Sequence, residues 1–520
     1  MLNIDIDLTP EQYYIAEELQ LAVARQLHVK PTTIGHVQIL KRSLDSRRGI
    51  KYHASANIYR SDETFVPPVF KSDYQDCSHA EPVVIVGSGP AGLFAALRAL
   101  ELGIKPIIIE RGKPVDERKR DIALLGREGV VNPDSNWCFG EGGAGTFSDG
   151  KLYTRSTKRG NVDDILRKFV EHGASPDIMI DAHAHIGTDR LSPIIAQIRQ
   201  TILNHGGEYH FGSQVSDFLL KDNTVYGVVT SDGQEYEGRA VVLATGHSAR
   251  DIYELFHKHG WSLEAKPFAM GVRVEHPQSL IDSIQYHTKN RSPYLPPAAY
   301  NLTTQVRTTS DSQSGCTHGV FSFCMCPGGV IVPAATADNQ QVVNGMSNSQ
   351  RNSPFANSGI AVTIDLRDVP DYVQYGPLAL LRFQQDVERK MFLNGAAPSQ
   401  RLTDFCESRT SSKLNKSNYL GKCESTPLHE TLPPIVVEGL QQGFRDFDRK
   451  MHGFYTSEAS VLAVESRTSS PVRIPRGPDY QHIQLRNLYP CGEGAGYSGG
   501  IVSSAIDGIN CINAIMMRNA

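Results

Sequence analysis

The sequence predicts an α/β protein, with a parallel sheet extended by a β-meander, a mixed α+β insertion, and a small N-terminal βαββ module. Three stretches predict it: VVIVGSGPAGLFAALRALELGIKPIIIERG (Val83 to Gly112), QVSDFLLKDNTVYGVVTSDGQEYEGRAVVLATGHSARD (Gln214 to Asp251) and LYPCGEGAGYSGGIVSSAIDGINCINAIMM (Leu488 to Met517).

In the first stretch, Val83 to Val86 read as a buried strand, Ala91 to Leu102 as an amphipathic helix and Ile107 to Ile109 as a second buried strand. This is a Rossmann-like βαβ unit. Gly87, Gly89 and Gly92 permit the tight turn, the close approach of a pyrophosphate and the packing of helix on strand. The helix N-terminus offers free N–H groups and a positive dipole end to phosphates. Glu110, at the tip of the second strand, is placed to accept hydrogen bonds from ribose hydroxyls. The flanking strands and the acid favour a dinucleotide site over a ligand-free glycine turn.

The second stretch alternates apolar and polar residues, turns at Asp222-Asn223 and Ser231-Asp232-Gly233, and ends in a buried strand that stops at Thr245-Gly246. The third leads a strand into Gly492-Glu493-Gly494 and starts a helix near Gly500, aiming a second helix N-terminus at a ligand.

These pieces resemble the FAD-binding domain of the glutathione-reductase-like FAD/NAD(P)-binding flavoprotein superfamily. More narrowly, FGEGGAGTFSDGKLYTR (Phe139 to Arg155), FSFCMCPGGVIVPA (Phe321 to Ala334) and NGMSNSQRNSPFANSGIAVTI (Asn344 to Ile364) resemble a bacterial family of FAD-dependent dehydrogenases. The resemblance implies noncovalent FAD, with its pyrophosphate at Gly87, Ser88, Gly89, Pro90 and Ala91 and its adenosine ribose at Glu110 beside Arg111. It implies that the loop Gly142, Gly143, Ala144, Gly145 and Thr146 approaches the phosphates or ribityl chain. It further implies that Val215 offers its backbone to adenine, that the strand end at Thr245 and Gly246 lies over the fold, and that Gly492, Glu493, Gly500 and Ile501 meet the ribityl chain and isoalloxazine. An ordinary core role for Val215 and a capping role for Glu493 remain open.

A second strand–GxGxxG–helix unit midway along the chain is missing, as is a CxxC after the first helix. NAD(P)H therefore stays open only as a transient electron donor. Gly492-Glu493 replaces the GD-type motif of aromatic hydroxylases and no DG motif is clear, which argues against oxygenase chemistry.

At 520 residues the chain is long enough for two or three domains. A net charge of -4 gives no general pull toward nucleic acid or acidic membranes. No apolar run approaches the ~18 residues of a membrane span. Nine irregularly spaced cysteines read as reduced thiols, and acids stand where a signal peptide needs basic and apolar residues. A cytoplasmic location is expected.

Residues 1–75 read as the N-terminal module, 76–263 with 473–520 as the discontinuous FAD-binding domain, and 264–472 as the substrate domain. In the module, LNIDIDL is an alternating strand, Thr9-Pro10-Glu11-Gln12 starts a helix running to about Leu27, and two strands follow across a basic turn. Its cluster Lys41, Arg42, Arg47, Arg48 and Lys51 reads as a solvated loop rather than a nucleic-acid site. The insertion opens with the strand AMGVRVEHP and carries helices over Pro377 to Leu393 and Leu432 to Arg449.

Catalytic candidates are few. Cys324 and Cys326 flank one residue of a strand, so period two places them on one side, as a thiol relay, a low-pKa acid/base, or two small buried hydrophobes. His183 and His185 alternate without a third ligand nearby, so no metal is expected. Lys151, Arg273 and His318 are cations suited to an anionic substrate or the reduced flavin. The expected activity is that of an FAD-dependent oxidoreductase, a dehydrogenase or reductase acting on a small organic substrate. Its alternatives are a flavin-dependent RNA-modifying enzyme and a non-catalytic flavin-bound redox sensor.

Overall fold

The structure, a computed structural model, describes residues 1–47, 49–153, 159–308 and 317–518. It is a mixed α/β protein with one parallel sheet and several others. The parallel sheet has five strands in the order Leu488–Pro490, Val241–Leu243, Pro82–Val86, Lys105–Glu110 and Glu208–Phe211. Its central strands read as continuous apolar runs because both faces are covered, one by helices and the other by a β-meander with the helix Arg250–His259. Val83, Val84 and Ile85 are fully buried.

The fingerprint helix Pro90–Glu101 and the C-terminal helix Ile501–Arg518 lie against each other, and both begin at the carboxyl edge of this sheet. Gly92 makes the tight join between strand and helix: a Cβ there would stand 1.9 Å from the Gly87 carbonyl oxygen. The meander Val215–Lys221, Thr224–Thr230 and Glu235–Glu237 pairs antiparallel, with Asp222 and Asn223 at φ 48° and 57° in its first turn. That left-handed pair is the turn that matches strand twist in a two-residue hairpin.

Between the strand Val241–Leu243 and the strand Leu488–Pro490, the chain builds a seven-stranded sheet. Its order is Thr303–Val306, His318–Cys326, Phe355–Ile364, Phe268–Pro277, Ser460–Glu465, Ala396–Arg401 and Lys422–Ser425. All neighbours are antiparallel except the last pair. The helix Pro434–Lys450 packs the apolar side chains of Val436, Leu440, Phe444 and Phe447 into the core of this sheet.

Near the N-terminus, the strands Leu2–Leu8, Lys51–Arg60 and Ile34–Asp45 form a three-stranded antiparallel sheet. The expected single helix is two, Pro10–Tyr14 and Ala16–Leu27, because Ile15 is extended at φ -97°, ψ 111°. The break turns Tyr13 and Tyr14 together onto Tyr52, with ring centroids 4.8 and 5.9 Å away. Most of the basic cluster is paired: Arg42 with Asp181 and Tyr13, Arg47 with Asp45, and Lys51 with Asp7. Arg48 lies outside the described residues. Among the described residues no helix is long and apolar enough to cross a membrane.

Candidate functional site

One cavity of about 1050 Å³ runs along the carboxyl edge of the parallel sheet and under the seven-stranded sheet. One wall is glycine-rich backbone: Gly87, Ser88, Gly89, Pro90 and Ala91 from the fingerprint, Gly143, Ala144 and Gly145 from the second loop, and Gly492, Gly500 and Ile501 from the third. Glu110, Arg111, Val215, Thr245, Gly246 and Glu493 line it as well. The sequence candidates thus converge on one space, with three departures.

Gly92, Gly142 and Thr146 do not reach the cavity and act from behind it. Gly142, at φ 83°, donates its N–H to the Ser88 carbonyl at 2.8 Å, and the Thr146 hydroxyl donates to the Glu141 carbonyl at 3.3 Å. Both tie the second loop rather than offer it to a ligand.

Glu110 is buried and its carboxylate is spent on the protein. One oxygen accepts from the Ser88 N–H at 2.9 Å and hydroxyl at 2.7 Å, the other from the N–H groups of Gly112 at 2.8 Å and Gly140 at 3.1 Å. Four donors fill the acceptor sites of a carboxylate. The expected ribose contact is therefore replaced by a buttress that fixes both glycine loops. Arg111 beside it lies 4.3 Å over the Phe139 ring and pairs with Asp134 and Asp251.

Arg118, which sequence reasoning missed, organises the second loop. Its guanidinium, fully buried, donates to the carbonyls of Asn136 (2.8 Å), Gly140 (3.2 Å), Glu141 (2.8 Å) and Gly143 (2.9 Å). Burial pulls it down to about 10, still a cation at neutral pH. A signal existed: Val115, Arg118, Asp121 and Leu125 repeat at helical spacing, putting a cation on the buried stripe of the helix Val115–Glu128.

The cavity fits a dinucleotide. No side chain caps the N-terminus of the helix Pro90–Glu101, so its first N–H groups face the glycine wall. A Cβ on Gly499 or Gly500 would meet nothing within 4 Å, leaving bare backbone at the start of the C-terminal helix. Burial raises the Glu493 carboxyl to about 7, partly opposed by Lys266.

The opposite wall comes from the seven-stranded sheet: Thr303, Gln305, Phe321, Phe323, Cys324 and Thr363. Lys151 stands between the walls, bonded to Asp149 at 3.1 Å and to the Met325 carbonyl. Burial lowers the amine, but Asp149 together with Cys326 and Cys324 outweighs it, so Lys151 is held above its ordinary value. Arg351 grips Asp149 at 2.6 and 2.9 Å, giving the trio a net positive charge. A second cation, Arg467, reaches the cavity from its pair with Glu388 at 3.1 Å.

Cys324 and Cys326 both line the cavity, Cys324 exposed in it and Cys326 buried in its wall. Cys324 sits at φ 44° where the strand register slips, and the Cys326 thiol donates to the Cys324 carbonyl at 3.2 Å. Burial pushes the Cys324 thiol up to about 11 despite Lys151, opposite to a low-pKa acid/base.

Arg273 is a fully buried partner of Glu465 at 2.9 Å rather than an anion receptor. His318 binds the Thr363 carbonyl at 2.9 Å, and His185 the Ser349 carbonyl at 3.3 Å. His183 packs at a tilt against Tyr153, with centroids 5.0 Å apart. In the motif Phe139 to Arg155, residues 154 and 155 lie outside the described residues.

A parallel sheet whose glycine loops and two helix N-termini share one cavity defines a dinucleotide-binding protein, and comparison with known proteins makes the nucleotide FAD. The model described as FAD binding domain matches residues 82–118, the one described as FAD-dependent protein, C-terminal domain-like matches 267–468, and a domain of unknown function matches 1–59. An uncharacterised protein of Clostridium beijerinckii is 38% identical over 96% of this chain and 96% of its own length; the chain belongs to the family of that protein. Thiamine thiazole synthase of Methanococcus maripaludis is 26% identical over 34% of this chain and 60% of its own. The solved structure of CtdE in complex with FAD is 10% identical, with 84% of each chain covered and a TM-score of 0.31. FAD is the cofactor.

Proposed function

We propose that the chain is an FAD-dependent oxidoreductase that exchanges a hydride or electron pair with a small, polar, anionic organic molecule. The observation that carries this is the shared cavity, at the upper end of the ~300 to 1,000 Å³ usual for ligand sites, bounded by the glycine loops on one side and by a second sheet on the other. The reading takes 76–263 with 473–520 as a glutathione-reductase-like FAD domain, 264–472 as the substrate domain and 1–75 as an accessory module, in a cytoplasmic protein without membrane or nucleic-acid partners.

Bound FAD supplies reversible two-electron chemistry. The N–H groups at the start of the helix Pro90–Glu101 hold its pyrophosphate, and the Glu493 carboxylate accepts from its ribityl hydroxyls. Lys151 spends two N–H bonds on Asp149 and Met325, so its third is left for an anionic group in the cavity. Phe321 and Phe323 shield the same space from water, and Thr303 and Gln305 supply neutral hydrogen bonds at its exposed mouth. That open mouth speaks against a sealed flavin sensor, and the paired arginines of the N-terminal module speak against an RNA clamp.

An anaerobic absorbance titration tests this reading. Bleaching of the flavin by NADH or NADPH marks a reductase fed by a transient nicotinamide, and bleaching by an organic acid donor marks a dehydrogenase. A flavin that yields to dithionite alone, across a panel of organic acids and both nucleotides, overturns the reading in favour of a non-catalytic role.

A further inference from the structure

The strand Leu488–Pro490 delivers Cys491 to the residue before Gly492, and the helix Ile501–Arg518 returns Cys511 to the same place. Both side chains are fully buried, and their sulfur atoms lie with an Asp507 carboxylate oxygen within 4.8 Å of one another. Twenty residues apart with no CxxC spacing, they were invisible as a pair in the sequence.

Three such ligands suggest a metal, but the surroundings oppose one. Arg476 donates to both Asp507 oxygens, at 2.6 and 3.0 Å, and the Gly492 N–H donates a third bond to the same carboxylate at 2.7 Å. The same guanidinium lies 3.8 Å from the Cys511 sulfur. A metal cation here would face a buried guanidinium and a carboxylate already shared by three donors.

What remains is a thiol pair with a cation on one side and the FAD cavity on the other, since Cys491 is itself part of the cavity wall. We propose that Cys491 and Cys511 are a redox-active dithiol that exchanges an electron pair with the flavin. This rests on the FAD site and is independent of the organic substrate. On oxidation two S–H bonds break, one S–S bond forms, two protons leave, and two electrons pass to the flavin; the reverse step regenerates the thiols. The hydrogen bond with Cys511, and then burial, raise the Cys491 thiol well above its ordinary value. The arrangement lets the protein store a second electron pair next to its cofactor.

Anaerobic dithionite titration of the holoprotein reads the store directly, because dithionite reduces flavin whatever the organic substrate. The expected uptake is about four electrons per flavin in the natural protein and about two in Cys511→Ala or Cys491→Ala. Should either variant lose its flavin, peptide mapping of the natural protein decides alone. After air oxidation, Cys491 and Cys511 are expected in one cross-linked peptide that escapes alkylation, and after reduction both carry the label. Uptake of about two electrons with both thiols alkylated after oxidation overturns the proposal, as does a stoichiometric metal lost in both variants. Failure here leaves the oxidoreductase reading standing, since that depends on bleaching by nicotinamide or organic donors.

Discussion

The Glu110 carboxylate holds Ser88 twice, through its N–H at 2.9 Å and its hydroxyl at 2.7 Å, across twenty-two positions of sequence. Its other oxygen holds Gly112 and Gly140, so a single side chain ties the fingerprint turn to the second loop. Glu110→Gln replaces one acceptor oxygen by an N–H₂ that faces existing donors. Hydrogen bonds to a charged group are worth about 1.5–3 kcal/mol each, so the variant is expected to weaken FAD retention by at least about tenfold. Flavin content after gel filtration and a fluorescence titration of the apoprotein check this, and undiminished binding would return Glu110 to a passive role.

Gly89→Val separates cofactor binding from folding. Gly89 has an ordinary backbone, and a Cβ there comes no nearer to the protein than 3.8 Å, so the added side chain enters the cavity where the pyrophosphate is expected. The expected product is a folded, colourless protein with a normal circular dichroism spectrum. A yellow Gly89→Val protein would move the pyrophosphate elsewhere.

Arg273 and Glu465 form a fully buried pair, and Arg273 also donates to Asn357 at 2.8 Å and to the Cys324 carbonyl at 2.6 Å. Arg273→Met strands a buried carboxylate, which typically costs about 3–5 kcal/mol. Denaturant unfolding is expected to show that loss, and the double change with Glu465→Leu is expected to recover much of it. A single variant as stable as the natural protein would show that the pair carries no structural role.

The Glu493 carboxyl, raised to about 7 by burial, against an ordinary value of 4.5, predicts a pH signature in the flavin-free protein. A group that holds its proton more tightly when folded contributes stability that is complete below the unfolded value and is lost as pH rises through the folded one. The melting temperature of the apoprotein relative to Glu493→Gln is therefore expected to fall between about pH 4.5 and 7 and to level off above. Subtracting the variant isolates Glu493 from Glu141 and Glu275, which burial also raises to about 7. Parallel curves would place the carboxyl in contact with solvent.

Local chemistry was legible in the chain. Period-two and period-3.6 patterns mark the βαβ unit, the meander and the C-terminal strand and helix, because side-chain direction repeats within each element. Glycines 87, 89, 92, 492 and 500 mark where backbone must turn sharply or stay bare, since only they lack a Cβ. These signals act over about thirty residues, enough to indicate a dinucleotide site.

Only the tertiary structure decided which groups meet. It turned Glu110 inward onto Ser88, put Arg118 behind the second loop, set Cys324 in a left-handed conformation where the strand register slips, and brought Cys491 beside Cys511. Each outcome depends on partners supplied by distant segments, and a sequence pattern records which face a residue takes, not what packing brings against it.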